Sequence, residues 1–332
     1  MTLLKRLLAR RPLRTLNDSP VARAERMHIE RNQLAGRRLR LSRLMLLALA
    51  LSMAVPAAEA LRDPIAAITR KSPLDVETLL RLAAEFTTLL IAAILFTHNL
   101  MISGLASRLT SSTVAREKRG RTWEALILTA QPARRLVVGK WWGVMQVIWA
   151  RHRAAILLRA ALAIWLQVLF SLRALTNPPA LLPATLAIGF ITLIPLINGA
   201  FTGALGMISS SLAGSETSAA RVNGLIGAAS VLLLFGFGCC SASFLFNGVD
   251  AALPLIAAAL IFTIVDGGLT ALLVLILSPD DPNQAVLYLG GVALWTLFFC
   301  LLTGAALWAA ARLLRMQGAS GAAAKSRSRG DG

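Results

Sequence analysis

His98, Asn99 and Asp266 are the residues best placed to do chemistry in this chain, because each interrupts an otherwise apolar run. A polar pair such as His98-Asn99 inside a hydrocarbon-grade helix either hydrogen-bonds a neighbouring helix or relays protons. Asp266 opens the step Asp266-Gly267-Gly268. Carried to the centre of a bilayer it would cost around 2.5–3.5 kcal/mol; at a hairpin tip it could meet backbone donors or line a pathway. The other candidates form no constellation. His28 and His152 stand apart, Cys239 and Cys240 are adjacent, and Cys300 is remote, so no Cys/His spacing fits a metal site. The cysteines read as small buried apolar residues. There is no GxxxxGKS/T loop, no GxSxG and no HExxH, which removes the familiar nucleotide-hydrolysing, esterase and zinc-protease signatures. The expectation is a protein with no catalytic site, no cofactor and no metal of its own.

The elements that must position these residues are membrane-grade. Of 332 residues, 56% are hydrophobic and 15% charged, against about 25% charged in ordinary soluble domains. Apolar runs of about 20 residues recur, which predicts an all-α polytopic integral membrane protein. The net charge of +18 raises the question of nucleic acid. The basic residues cluster beside the apolar runs rather than on an independent soluble fold, so topology and anionic headgroups explain them better. Nucleic acid is not an expected partner; membrane lipids are.

Residues 1–43 hold twelve Lys or Arg, with Leu3, Leu4, Leu7 and Leu8 on one helical face opposite Lys5, Arg6 and Arg10. This predicts a basic, amphipathic segment on the membrane surface. The first apolar run, Leu44–Leu61, ends in AVPAAEA and mimics a signal-peptide cleavage site, but its basic prelude is too long for one. Further runs are Leu82–Leu105, Ala154–Leu172, Pro179–Ser209, Val222–Phe246, Ala251–Ser278 and Val286–Leu313. Trp141, Trp142 and Trp149 mark an interface before the third, and Arg159 is expected to snorkel back to it. Pro183 and Pro195 predict a kink in the fourth.

Charge counts the crossings. With the basic N-terminus in the cytoplasm, two spans place residues 108–153 and their ten Lys or Arg inside. If all seven runs crossed, the tail bearing Arg312, Arg315, Lys325, Arg327 and Arg329 would lie outside, against the positive-inside rule. Asp266-Gly267-Gly268 divides 251–278 into halves of about 18 Å as helix, too short for a core of about 30 Å. Six spans plus a re-entrant hairpin over 251–278 is therefore preferred to seven spans. The transmembrane domain is 44–314, and 315–332 is read as a flexible basic cytoplasmic tail.

One segment is out of keeping with the rest: STVAREKRGRTWEALILTAQPARRLVVGK, Ser112–Lys140. Thr122 can cap a short helix, Glu124 suits its positive end, and Trp123, Leu126, Ile127 and Ala130 share one face. Glu117 and Arg121 are spaced to pair at i, i+4. Pro132 ends the helix and turns the chain back. The result is a short half-apolar knuckle whose face either lies on lipid or fills a groove in another protein.

Residues Ala115–Lys140 resemble the cytoplasmic segment of type-2 ATP-binding-cassette (ABC) permeases, in which an acidic/basic cluster, Gly-Thr-x-Glu, a Leu-rich turn, Thr-x-Pro and Gly-Lys follow in order. Glu117, Thr122, Glu124, Leu126, Leu128, Thr129, Pro132, Gly139 and Lys140 fit; Arg121, inserted after Gly120, and Gln131 depart. Asn17–Arg40 is similar to the family's pre-membrane elbow, and Gly203–Arg221 to its Ser-rich exit from the fourth span. The resemblance implies a permease subunit of an ABC exporter in the cell membrane, both termini cytoplasmic. It would pair with a second permease subunit, identical or not, and with a separate ABC ATPase subunit that binds the ATP. It also implies that Glu117, Arg121, Thr122, Trp123, Glu124, Ile127 and Lys140 couple to that ATPase. An ion-coupled transporter using His98 and Asp266, and a non-transporting scaffold, are the alternatives.

Overall fold

The computed structural model describes residues 19–32, 76–120, 131–173, 181–243 and 282–330. Among these, seven helices account for the regular structure: α1 (Pro20–Asn32), α2 (Val76–Ser111), α3 (Thr113–Arg119), α4 (Ala133–Arg173), α5 (Leu181–Leu212), α6 (Glu216–Ser243) and α7 (Pro282–Gly330). The all-α expectation holds for the described residues. Among the described residues, two stretches are long and apolar enough to cross a membrane, the 21 residues Thr192–Leu212 in α5 and the 28 residues Gly290–Gln317 in α7. The run Leu44–Leu61, the hairpin 251–278 and the knuckle residues 121–130 lie outside the described residues.

Local chemistry sets the helix ends. Pro20 and Pro282 occupy the first positions of α1 and α7, where a missing N–H is no loss. Pro132 closes the first turn of α4, its carbonyl accepting from Arg135 N at 2.8 Å. Ser215 caps α6: its Oγ accepts from Ser218 N at 3.2 Å, with Glu216 favourable in the first turn. Between α2 and α3 the break is one residue, Ser112. There Thr110, Ser111, Ser112 and Thr113 each return a hydroxyl to a carbonyl three residues back, the local competition that bends helices. Residues 315–330, expected as a flexible tail, continue α7 as helix. Ala322, Ala323 and Ala324 are strong helix formers, which accounts for the difference.

Helix α5 is the central element, packed against α2, α3, α4, α6 and α7. It stays continuous through Pro195. One apolar cluster joins α1, α2 and α4 through Ala22, Ile29, Ile102, Ala106, Met145 and Ile148. A second joins α3, α4, α5 and α7 through Val114, Leu136, Ala204, Met207, Ala310 and Leu314. Outward-facing Leu157, Leu225, Leu232, Leu294 and Leu301 are each more than half exposed, a greasy exterior suited to lipid. The α1–α4 contact depends on Gly143: a methyl there would lie 2.5 Å from the Ala22 carbonyl oxygen.

Candidate functional site

Of the seven residues nominated for coupling, the two that are described, Glu117 and Lys140, meet. Lys140 Nζ on α4 donates to Glu117 Oε1 on α3 at 2.9 Å, closing the chain on either side of residues 121–130. Lys140 is 4% exposed, so it is an internal tie rather than a surface contact. Its second partner is Glu25 Oε2 on α1 at 3.0 Å, and the other Glu25 oxygen accepts from Arg116 Nη2 at 2.8 Å. The four charges alternate and sum to zero: Arg116, Glu25, Lys140, Glu117. Alternation places a cation on each oxygen of a Glu25 side chain only 2% exposed, as a buried charge must be paired.

A second set of bonds ties α3 to the end of α5. No side chain of its own caps α3. Instead Ser210 Oγ on α5 accepts from the backbone N–H groups of Val114 (2.9 Å) and Ala115 (3.1 Å), satisfying two orphan donors of the first turn. In return Lys118 Nζ donates to the Ser211 (2.7 Å) and Ala213 (3.2 Å) carbonyls at the C-terminal end of α5, where a cation opposes the helix dipole. Burial lowers the Lys118 ammonium below the usual lysine range. Gln317 of α7 joins both, accepting from Lys118 Nζ at 2.8 Å and donating to the Ser211 carbonyl at 3.0 Å. Within the fully buried run Ser209-Ser210-Ser211, Ser210 is thus the cap, while Ser209 and Ser211 donate to the Leu205 and Met207 carbonyls of their own helix. Ser210→Ala should lower stability by about 1 kcal/mol, the typical value of a cap. Thermal unfolding of the purified chain measures it; an unchanged midpoint would show that α3 needs no borrowed cap.

Sequence reasoning nominated Glu117 and Lys140 but missed Glu25, Ser210, Lys118 and Gln317. Glu25 carried a readable signal: with Ala22 and Ile29 it lies at i−3 and i+4 on one helical face, an acid among the residues that α1 buries. Of the other nominated residues, Arg121, Thr122, Trp123, Glu124, Ile127 and Asp266 lie outside the described residues.

His98 and Asn99 belong to the α2 face that packs on α4 and α5. Asn99 Oδ1 accepts from Asn198 Nδ2 on α5 at 3.2 Å, an interhelical bond. The His98 ring sits 5.4 Å, centroid to centroid, from that of His152 on α4. Arg159 does not snorkel: it is 1% exposed and donates to the Leu95 carbonyl of α2. Ten residues of continuous helix, about 15 Å, separate it from Trp149, the nearest of the three tryptophans, beyond an arginine side chain's reach. Among the described residues, no three His, Cys, Asp or Glu gather as a metal site.

No family model matches the chain, and no curated protein matches it.

Proposed function

We propose that this chain is the permease subunit of an ATP-driven exporter of the type-2 ABC class, moving substrate when a separate ATPase subunit pushes on residues 121–130. Such a lever needs a protruding contact on a base that does not yield. The observation that carries the reading is the Glu117–Lys140 ion pair, which with Glu25 fixes both flanks of that segment to α1. Force applied between the flanks would pass through α3 to α2 and α5, and through α4 directly. The Ser210 cap and the Gln317 bridge extend the same base to α5 and α7.

In this reading six spans and a re-entrant hairpin cross the cell membrane, with both termini and residues 108–153 cytoplasmic. Two such subunits, alike or different, would work with two ATPase subunits, which bind the ATP. Trp123 and Glu124 are the contact residues, and Arg121, Thr122 and Ile127 shape the knuckle. Trp123→Ala or Glu124→Lys should weaken co-purification of the ATPase at least about tenfold, the scale of losing an interface anchor, while membrane insertion is unchanged. Full association in both variants would end the docking reading.

An ion-coupled transporter is the second reading, favoured by the His98–His152 contact. Transport that persists without any ATPase and collapses with the proton gradient would identify it.

A further inference from the structure

Helix α6 leaves one of its sides unpartnered. Ala219 packs with Ala115 and Ala213, and Asn223 Oδ1 accepts from Ser107 Oγ of α2 at 2.9 Å, which fixes the side that meets the bundle. On the open side Thr217, Ala220, Gly224 and Gly227 are all exposed. A methyl added to either glycine would meet nothing within 4 Å. Lipid alone gives no reason for so lean a surface. The outward side of α7 carries Leu294, Leu297 and Leu301 instead, each more than half exposed.

The four α6 residues follow one another at steps of three, four and three, the seam of two helices wound about each other. Small residues on such a seam let two backbones approach closely, which is how helices associate within a bilayer. Charge then chooses the direction. Glu216 stands just before Thr217 and Arg221 just after Ala220, the flanking heptad positions at which paired helices form ion pairs. Neither has an ion-pair partner among the described residues. In a parallel pair of identical helices, Glu216 of each copy meets Arg221 of the other. In an antiparallel pair the acids face each other, and so do the bases. Two copies inserted the same way in one membrane run parallel, so the charges select the orientation open to them.

We propose that this face of α6 is the docking surface for a second copy of the same chain, the two α6 helices running parallel and touching along Thr217, Ala220, Gly224 and Gly227. The second permease subunit is then an identical chain. The inference rests on the permease reading for α6 as a membrane span. It needs no ATPase, so a test made without one can fail while the docking at residues 121–130 stands, and the reverse.

For the test, the full chain is expressed without any ATPase, with Cys239, Cys240 and Cys300 replaced by alanine and a single cysteine placed on α6. Oxidation in isolated membranes should join two copies through Ala220→Cys and through Gly227→Cys, because equivalent seam residues of a parallel pair face each other. Ala229→Cys, exposed but off the seam, should give little product, since a disulfide needs Cα atoms within about 7 Å. Gly224→Leu, added to the Ala220→Cys chain, should cut the yield at least about fivefold by holding the helices apart. Nothing in the chain itself crowds that position, so helical content by circular dichroism should not change. Glu216→Arg and Arg221→Glu should each lower the yield at least about threefold, and the double variant should restore it. No joining at either seam position would leave the face to lipid, and joining only to a different protein would give it another partner. Either result, equal product at Ala229→Cys, or a double variant as poor as its parents overturns the proposal.

Discussion

Glu25→Ala is expected to destabilise the chain by about 3–5 kcal/mol, the scale of breaking a buried ion pair by removing one partner. The reason is arithmetic of charge. Arg116, Lys140 and Glu117 would remain, two cations and one acid, with Lys140 only 5% exposed at its side chain. The Arg26–Glu30 pair on the same helix supplies the contrast. It is equally short at 3.0 Å but 49% and 37% exposed, so Arg26→Ala should cost under about 1 kcal/mol. Combining Glu25→Met with Lys140→Met should recover much of the loss, because one acid and one cation leave together. The surviving Arg116 and Glu117 are 24% and 21% exposed and can hydrate. Thermal unfolding in detergent compares all three. A Glu25→Ala midpoint equal to that of Arg26→Ala would contradict the buried network.

Gly206→Ala should be the second most damaging change, and it reverses the usual sign. In an open helix, Gly→Ala gains about 1 kcal/mol from propensity. At Gly206 the added methyl would sit 2.1 Å from Thr110 Oγ1 and 2.8 Å from the Ser107 carbonyl oxygen. The carbonyl belongs to the α2 backbone, and Thr110 is fully buried with its hydroxyl bonded to the Ala106 carbonyl, so neither neighbour yields easily. Overpacking of this kind costs about 1–3 kcal/mol and forces α2 and α5 apart. Gly203 clashes with the Met145 methyl at 2.7 Å, the end of a flexible chain, and meets Trp141 and Thr110 only at 3.4 and 3.5 Å, so it should tolerate alanine better. Gly224 and Gly227 on α6 have nothing within 4 Å, so alanine there should leave stability equal or higher. Unfolding midpoints in the order Gly224→Ala, Gly203→Ala, Gly206→Ala, from highest to lowest, are the expected result; a stabilised Gly206→Ala would refute the close α2–α5 contact.

What could be read in the sequence was periodic or local. Hydrophobic spacing located the helices, and Gly199 and Gly203, four residues apart, form a small-residue face of the kind that packs closely. What each met could not be read, because the facing residues, Ile102 and Met145, are about a hundred and about sixty positions back and share no pattern with the glycines. Lys140 and Glu117 were nominated through a resemblance, whereas the acid that joins them to Arg116 was missed although its helical face could be read. Glu25 stands among arginines with Glu30 close by, where an acid reads as solvated until α4 closes over it. Arg159 misled for the opposite reason: a basic residue near tryptophans looks ready to snorkel, and only the unbroken length of α4 shows how deep it lies. The serine run entered only through the resemblance; the role of Ser210 as a borrowed cap for α3 depends on a contact 96 residues away.

Residues 121–130 hold the account together, and their surroundings in the living cell test it most directly. A photo-crosslinking amino acid in place of Trp123 should, on illumination of intact cells, capture a nucleotide-hydrolysing subunit on the cytoplasmic face. Capture only of lipid, or labelling of that position by an impermeant reagent added from outside, would contradict the proposal that an external motor drives this chain.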